Sequence, residues 1–119
     1  MPYGSGGYLV NKYAETAKVK AVVNAAIKLG IYVIIDFHYT GDILYIKEAK
    51  EFFHEMSFEY KGTWNVLYEI YNEAINHSWQ ELKSYHETII QVNVYLIKCL
   101  TELKSLKRNP LIPLTSTLI

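Results

Sequence analysis

The residues best suited to chemistry are an adjacent amide and carboxylate, Asn72 and Glu73, at the end of an apolar run. That run, residues 66–71, is rich in β-branched and aromatic residues, which is typical of a parallel strand covered on both faces. In parallel α/β folds, chemistry takes place where the carboxyl end of a strand opens into the next loop. Because Glu73 follows the strand at that position, we predict that it is a catalytic acid.

A second group of polar side chains ends another apolar run, residues 31–38. The period of two in a strand places Asp36 and His38 on one face and the neighbouring apolar residues on the other. Imidazole and carboxylates can together hold a divalent ion, so His38, Asp36 and Glu73 form an alternative metal site. We predict no metal, and we expect Asp36 and Glu69 to be structural acids that face the interior of the fold.

Three predicted helices position these strand ends: residues 15–29, 46–60 and 79–106. In the first, apolar residues recur at the spacing of one helix face, and Gly30 follows as a left-handed stop. The third begins after Ser78, which forms a capping box with Glu81. Helices that alternate with strands over short connections predict a parallel sheet with right-handed crossovers. The last ten residues have no regular pattern and are expected to be loose.

The apolar stripes also predict which side chains are buried. The stripe of the first helix includes Val22, that of the second includes Ile46, and Trp64 is predicted to be a core residue. Trp79 is interpreted as a surface residue that has the alternative of stacking on a sugar ring. Surface positions are expected for three histidines: His54, His77 and His86.

Composition excludes several classes of function. The chain has 119 residues, with 12 basic and 12 acidic side chains, so no basic stripe is available for a nucleic-acid partner. The one cysteine, Cys99, leaves no internal disulfide and no multi-cysteine metal site. No apolar run reaches the roughly 18 to 20 residues of a membrane helix. Residues 1–8 lack the basic and apolar segments of a signal peptide, so none is predicted in this chain.

Five motifs follow one another along the chain: GGY at 6–8, GIYVIIDFH at 30–38, EAKEFF at 48–53, EMS at 55–57 and NVLYEIYNE at 65–73. In their order and spacing they resemble glycoside hydrolase family 5, and specifically its cellulase-like endo-β-1,4-glucanases. The resemblance covers residues 4–90. Two positions depart from the family pattern, since Ala74 stands where a proline is usual and Phe37 where a tryptophan is usual.

The resemblance implies an α/β fold, a fragment of a TIM (β/α)8 barrel with parallel strands at 31–38 and 65–72. It implies that Glu73 is the general acid/base of a retaining mechanism, and that His38 and Asn72 bind substrate. It further implies a β-glucan polysaccharide as the partner, no cofactor and an extracellular location. Residues 1–90 are interpreted as part of the catalytic domain, and residues 91–119 as a divergent helical and irregular tail.

The second carboxylate of the family mechanism has no counterpart in the sequence. Retaining hydrolysis needs two carboxyl groups about 5 to 5.5 Å apart. Glu69 lies four residues before Glu73, roughly 13 Å away at about 3.3 Å per residue. Asp36 lies below the strand end, and Asp42 lies in a loop. We therefore expect no cleavage by this chain alone.

Two alternatives to an active enzyme stay open. One is a catalytically inactive truncated product, and the other is a remnant that binds glycans without cleaving them. A barrel that lacks part of its strands has sheet edges without partners, and such edges favour pairing with another chain. Self-association through open sheet edges is therefore expected.

Overall fold

The computed structural model describes residues 7–92 and the backbone of residues 116–118. The elements follow one another as α1 (Lys12–Leu29), β1 (Tyr32–Asp36), β2 (Thr40–Gly41), α2 (Ile46–Glu59), β3 (Val66–Glu69), β4 (Glu73–Ala74), α3 (Trp79–Val92) and β5 (Ser116–Leu118). The alternation of helices and strands confirms the predicted α/β class.

The main sheet has three parallel strands in the order β3-β1-β5. β1 pairs with β3 from Val33 opposite Val66 to Asp36 opposite Glu69. A second, shorter parallel pair joins β2 to β4 and sets Thr40 opposite Glu73. The second pair therefore lies beyond the carboxyl ends of β1 and β3, where the chain leaves the main sheet.

Both predicted strands are shorter than the sequence indicates. β1 ends at Asp36 because Phe37 makes its last ladder bond, to the Glu69 carbonyl at 3.2 Å, and Tyr39 N then turns back to the Phe37 carbonyl at 2.8 Å. β3 ends at Glu69, and the carbonyl of the following residue, Ile70, accepts from the Tyr85 hydroxyl of α3 at 2.8 Å instead of from a strand. The predicted ranges 31–38 and 65–72 thus include the turns that follow each strand.

Helix α1 begins three residues before the predicted position. Asn11 is its N-cap, and the side chain of Asn11 accepts a hydrogen bond from Ala14 N at 3.2 Å. An asparagine oxygen at this position satisfies one of the free amides of the first turn. The other end agrees with the prediction, because Gly30 takes the left-handed conformation at φ 72° and closes the helix.

The boundaries of α2 and α3 agree closely with the sequence. Ser78 N donates to Glu81 Oε2 at 2.8 Å, and Glu81 N donates to Ser78 Oγ at 3.3 Å, which is the predicted capping box. The predicted continuation of α3 to residue 106 lies outside the described residues beyond Val92. The expectation of loose structure at the end of the chain is wrong for Ser116–Leu118, because these residues pair with β1.

The core lies between the sheet and the helices α1 and α2. Phe37, the residue that follows β1, packs against Phe52 and Phe53 of α2, with ring centroids 5.6 and 6.1 Å apart. All three rings are fully buried, and burial of such a side chain contributes roughly 1.5 to 3 kcal/mol. The period of two that directs Phe37 into this core directs Asp36 and His38 to the opposite face of the sheet.

Three burial predictions are wrong. Val22 is 42% exposed because the buried face of α1 runs through Val19, Val23 and Ala26, which leaves Val22 at its margin. Ile46 is 41% exposed as the first residue of α2. Trp64 is 53% exposed, since it precedes β3, and its ring meets that of Tyr32 edge-on with centroids 5.3 Å apart.

Two of the three histidines expected at the surface are half-buried. His86 places Nδ1 2.6 Å from the Leu82 carbonyl one turn back, and His77 is directed toward Gly41. His54 is exposed, as predicted, and so is Trp79. Of the helices in the described residues, none combines the length and the apolar character that crossing a bilayer requires.

Candidate active site

The structure brings the three predicted site residues to the same end of the sheet. His38 follows β1, Asn72 follows β3, and Glu73 begins β4. The carboxyl ends of β1 and β3 are adjacent because the two strands pair in parallel with Asp36 opposite Glu69. The arrangement is the one in which parallel α/β folds place their chemistry.

Glu73 is an exposed carboxylate on a strand of two residues. Its backbone lies opposite Thr40 in the pair formed by β2 and β4, and Ala74 lies opposite Gly41. Two residues on each strand form only a small ladder, so the position of this carboxylate depends on contacts made by its neighbours. Its exposure leaves it accessible to a ligand that approaches the strand ends.

His38 is hydrogen-bonded to Asp36 on the same face of the chain. Nδ1 of His38 lies 2.5 Å from Oδ2 of Asp36, and the Asp36 side chain is 1% exposed whereas that of His38 is 40% exposed. A carboxylate accepts but does not donate, so the proton of this bond belongs to Nδ1. The other nitrogen of His38, Nε2, is left for contact with a ligand or solvent.

Asn72 is held by a hydroxyl group from β2. Its Nδ2 donates to Thr40 Oγ1 at 3.1 Å, and the amide oxygen stays available as a hydrogen-bond acceptor. The contact joins the residue before Glu73 to the residue that lies opposite Glu73 in the strand pair. Asn72 therefore has a fixed orientation next to the exposed carboxylate.

The carbonyl of Gly41 accepts two side-chain hydrogen bonds from the segment that carries Glu73. Tyr71 Oη donates from 3.1 Å, and His77 Nε2 lies at 3.0 Å. The rings of Tyr71 and His77 also meet edge-on, with centroids 6.4 Å apart. Two residues that flank Glu73, one before it and one after it, thus converge on a single backbone oxygen.

A fourth side chain of the same segment extends this set. Asn76 Nδ2 donates to Asp42 Oδ1 at 3.1 Å, and the backbone of Asn76 has a positive φ of 58°. Asparagine tolerates this left-handed region better than most residues. The turn at Asn76 brings the chain back toward residues 40–42 after β4. We call Tyr71, Asn72, Asn76 and His77 the flanking donors.

Two acids lie side by side below the strand ends. Burial raises the pKa of Glu69, the neighbouring Asp36 carboxylate raises it further, and His38 opposes both effects. Oδ1 of Asp36 is buried and has no hydrogen-bond partner in the described residues. Asp36 lies four positions before Thr40, and Glu69 lies four positions before Glu73.

The alternative metal site is not formed. In the described part of the chain, no three His, Cys, Asp or Glu side chains lie together as ligands for one metal ion. His38 and Asp36 are paired with each other, and Glu73 belongs to the separate strand pair. Thr40 and Asn72, which lie opposite and next to Glu73 along the strand pair, carry hydroxyl and amide groups that can hydrogen-bond to hydroxyl-rich ligands.

Sequence reasoning missed four residues that shape this region: Thr40, Tyr71, Asn76 and His77. Their partners lie thirty or more positions away along the chain, and no periodicity marks them. Tyr71 alone carried a signal, since it stands at the end of an apolar run as a residue with a polar tip. The others are recognisable only once β2 and β4 are paired.

Comparison with known proteins identifies a family and individual relatives that are similar to this chain in sequence. A family model described as Cellulase (glycosyl hydrolase family 5) matches residues 1–92. Endoglucanase A of Evansella cellulosilytica is 49% identical over 94 residues, a match that covers 74% of this chain and 19% of the relative. Endoglucanase Z of Dickeya dadantii is 44% identical over 87 residues, covering 72% of this chain and 20% of the relative.

Solved structures with a similar fold are also found. The catalytic domain of Thermobifida fusca endoglucanase Cel5A superposes with a TM-score of 0.67 at 29% identity, covering 94% of this chain and 43% of that domain. A structure from Cytophaga hutchinsonii superposes with a TM-score of 0.70 at 35% identity, covering 94% of this chain and 40% of that one. The chain spans about a fifth of the length of the curated relatives and less than half of the solved structures.

Proposed function

The chain belongs to glycosyl hydrolase family 5, and from this premise we propose that it carries the acid/base half of a site that hydrolyses β-1,4-glucan with retention of configuration. The observation that supports the proposal most directly is the exposed Glu73 carboxylate at the carboxyl ends of the parallel strands. Both relatives described above are endoglucanases.

In the proposed reaction, Glu73 acts twice. As an acid it gives a proton to the glycosidic oxygen while the bond to the anomeric carbon breaks, and a nucleophilic carboxylate takes the place of the leaving sugar. As a base it then takes a proton from the water that hydrolyses this covalent intermediate. The side chain must reach both the oxygen and the water, and its exposure supports this role.

His38 and Asn72 are proposed to hold the sugar next to Glu73. Asn72 has a free amide oxygen once its Nδ2 is bonded to Thr40, and it can accept from a sugar hydroxyl. His38 has Nε2 free once Nδ1 is bonded to Asp36. Both groups are fixed by a second residue before any ligand arrives, and such preorganisation reduces the entropy lost on binding.

The nucleophile is proposed to come from outside the described residues. The two buried acids Asp36 and Glu69 lie four positions before Thr40 and Glu73, so they lie deeper along the strands. Separations of about 5 to 5.5 Å between the two carboxyl groups are needed for retention. The depth of Asp36 and Glu69 favours a second candidate function for the chain on its own, namely binding of a glucan without cleavage.

A β-glucan is the proposed substrate class. A variant of the Thermobifida fusca domain has been solved with cellotetraose, at a TM-score of 0.67 to this chain. The extracellular location that the family resemblance implies is part of the same proposal. We further propose that residues 1–90 are the part of the chain that belongs to the catalytic domain, and that residues 91–119 diverge from it.

The test compares the chain with a Glu73→Gln variant on carboxymethylcellulose and on cello-oligosaccharides. Glu87→Gln, on the exposed side of α3, is the matched control. If the chain hydrolyses glucan, Glu73→Gln is expected to lower kcat by about a hundredfold or more and Glu87→Gln to leave it unchanged. Equal rates for Glu73→Gln and the unmodified chain would exclude Glu73 as the acid/base.

Calorimetric titration with cellotetraose separates the two candidates. Binding without measurable hydrolysis supports the glucan-binding function and contradicts autonomous catalysis. Binding that His38→Ala and Asn72→Ala each weaken by about fivefold or more supports the proposed sugar contacts. Absence of both binding and hydrolysis contradicts the two candidate functions for this chain.

A further inference from the structure

The segment that carries Glu73 is attached to residues 40–42 by side-chain hydrogen bonds as well as by its short strand pairing. All four flanking donors direct a hydrogen bond to this short stretch, two of them to the Gly41 carbonyl, one to Thr40 and one to Asp42. Only two residues of each strand take part in the pairing of β2 with β4. Glu73 stands between the two pairs of donors and makes none of these bonds.

His77 makes the bond that closes this arrangement after Glu73. A backbone carbonyl can only accept, so the proton lies on His77 Nε2. Both the neutral Nε2–H tautomer and the imidazolium donate in this direction, so the bond does not require a charged ring. Tyr71 Oη fills the other acceptor direction of the same carbonyl, and its ring supports the imidazole edge-on.

A second observation also places the His77 side chain beside Gly41. The side chain is half-buried, and the αL turn at Asn76 directs the chain back toward Gly41 immediately before it. Asparagine adopts the left-handed conformation at a smaller cost than most residues other than glycine, and contacts around the turn can offset that cost. The bonds of Asn76 and His77 to residues 41–42 are the contacts available for this purpose.

We propose that His77 is a positioning residue: through its hydrogen bond to the Gly41 carbonyl it fixes the segment 71–77 and thereby the direction of the Glu73 carboxylate. His77 touches neither Glu73 nor a ligand in this role. The claim that His77 fixes the segment 71–77 depends on the hydrogen bonds alone. The claim that His77 affects catalysis also rests on the proposed function of Glu73. The two can therefore fail separately.

The test uses three substitutions in the full chain. His77→Leu removes the donor and keeps an apolar side chain of similar size, and His77→Gln keeps an N–H group that can donate. Tyr71→Phe removes the other donor to Gly41 and keeps the ring. His54→Leu is the matched control, because His54 is an exposed histidine on α2.

The first readout is amide hydrogen exchange of residues 72–77, measured by mass spectrometry against residues 46–60 of α2. His77→Leu is expected to accelerate exchange in 72–77 by about fivefold to tenfold and to leave α2 unchanged, since local opening then costs less. His77→Gln is expected to restore most of the protection, and His54→Leu to change nothing. Unchanged exchange of 72–77 in both His77→Leu and Tyr71→Phe would overturn the proposal.

The second readout is the histidine tautomer, read from ¹⁵N chemical shifts of the side chains. The proposal expects His77 as the Nε2–H form and His38 as the Nδ1–H form. A neutral His77 that carries its proton on Nδ1 would overturn the hydrogen bond on which the proposal depends. This readout requires neither activity nor a substituted chain, so it also decides the case in which His77→Leu fails to fold.

The third readout is kinetic and depends on the proposed function. If the chain hydrolyses glucan, His77→Leu is expected to lower kcat by about tenfold with KM unchanged, because His77 acts on the orientation of Glu73 and not on the sugar. Faster exchange in 72–77 without any hydrolysis by the unmodified chain would support the positioning role and contradict the catalytic one. Faster exchange with an unchanged kcat would overturn the link from His77 to Glu73.

Discussion

The buried carboxylate of Asp36 is hydrogen-bonded to the partly exposed imidazole of His38, and this bond determines which nitrogen of the imidazole is free. The 2.5 Å contact joins Oδ2 of Asp36 to Nδ1 of His38, and the acid is almost fully buried while the histidine reaches the strand ends. Hydrogen bonds of this kind fix a histidine's tautomer and ring orientation. The acid therefore acts on the candidate site without being exposed to it.

Replacing Asp36 with leucine should release His38. Leucine has no hydrogen-bond acceptor in its side chain, so the Nδ1 proton loses its partner and the neutral imidazole is expected to shift toward the Nε2–H form. The ¹⁵N shifts of His38 measure the change, and titration with cellotetraose should show an affinity lower by about fivefold. An unchanged tautomer in Asp36→Leu would contradict the role assigned to the carboxylate; Glu87→Leu is the control.

The raised pKa of Glu69 predicts a pH-dependent stability. Burial and the neighbouring Asp36 make the folded state bind the Glu69 proton more tightly than the unfolded state does. The contribution of this group to stability is therefore fully present below its ordinary pKa, and it is lost as the pH rises through the raised value. Above the raised pKa, the folded state carries the cost of an ionised carboxylate next to Asp36.

Glu69→Gln should remove that cost. The variant is expected to unfold at a higher temperature than the unmodified chain at about pH 7, and at nearly the same temperature at about pH 3, where Glu69 is protonated in both states. Thermal unfolding followed by circular dichroism over this range measures the difference. A difference that does not depend on pH would show that packing, and not ionisation, determines the effect; Glu87→Gln is the control.

The hydroxyl of Tyr85 is expected to stabilise the end of β3. The Tyr85 side chain is 1% exposed and donates to the Ile70 carbonyl at 2.8 Å, so Tyr85→Phe leaves that carbonyl without this partner. We expect the free energy of unfolding in urea to fall by about 1 to 2 kcal/mol. Tyr13→Phe is the control, since Tyr13 is 88% exposed, and an equal effect of both variants would contradict the prediction.

Self-association through the open edge of the sheet also stays a prediction. In the described residues, β3 is an outer strand whose other edge pairs with no strand. Light scattering after size exclusion should show a mass that rises with concentration. A lysine at Leu67 on this strand should lower the mass, and a lysine at Val22, exposed on α1, should not. A mass that stays at one chain up to high concentration would contradict the prediction.

The elements could be predicted because local patterns determine them. The spacing of apolar residues predicted α1, and the pair Ser78 and Glu81 predicted where α3 begins, which the hydrogen bonds between them confirm. Strand ends were less predictable, since they depend on which group takes the next backbone carbonyl. The hydroxyl of Tyr85, fifteen positions away, ends β3 at a point that no local pattern marks.

The position of Glu73 in the candidate site was predictable from the sequence, whereas the residues that hold its segment in place were not. Glu73 stands directly after a strand and matches a family motif, so its position followed from the sequence. His77 and Asn76 have partners at Gly41 and Asp42, and these contacts require the pairing of two strands of two residues each, which carry no hydrophobic signal. Support of this kind depends on tertiary structure.

β5 pairs with β1 on the side opposite β3, although Ser116 lies far from Tyr32 along the chain. The strands β1 and β3 are separated by a much shorter stretch, which contains β2 and α2. The entropy lost on closing a loop grows with its length, and sheets built from distant segments form more slowly. During folding, the strand pair that leads to His38 and Glu73 is therefore expected to assemble first, and β5 to complete the sheet afterwards.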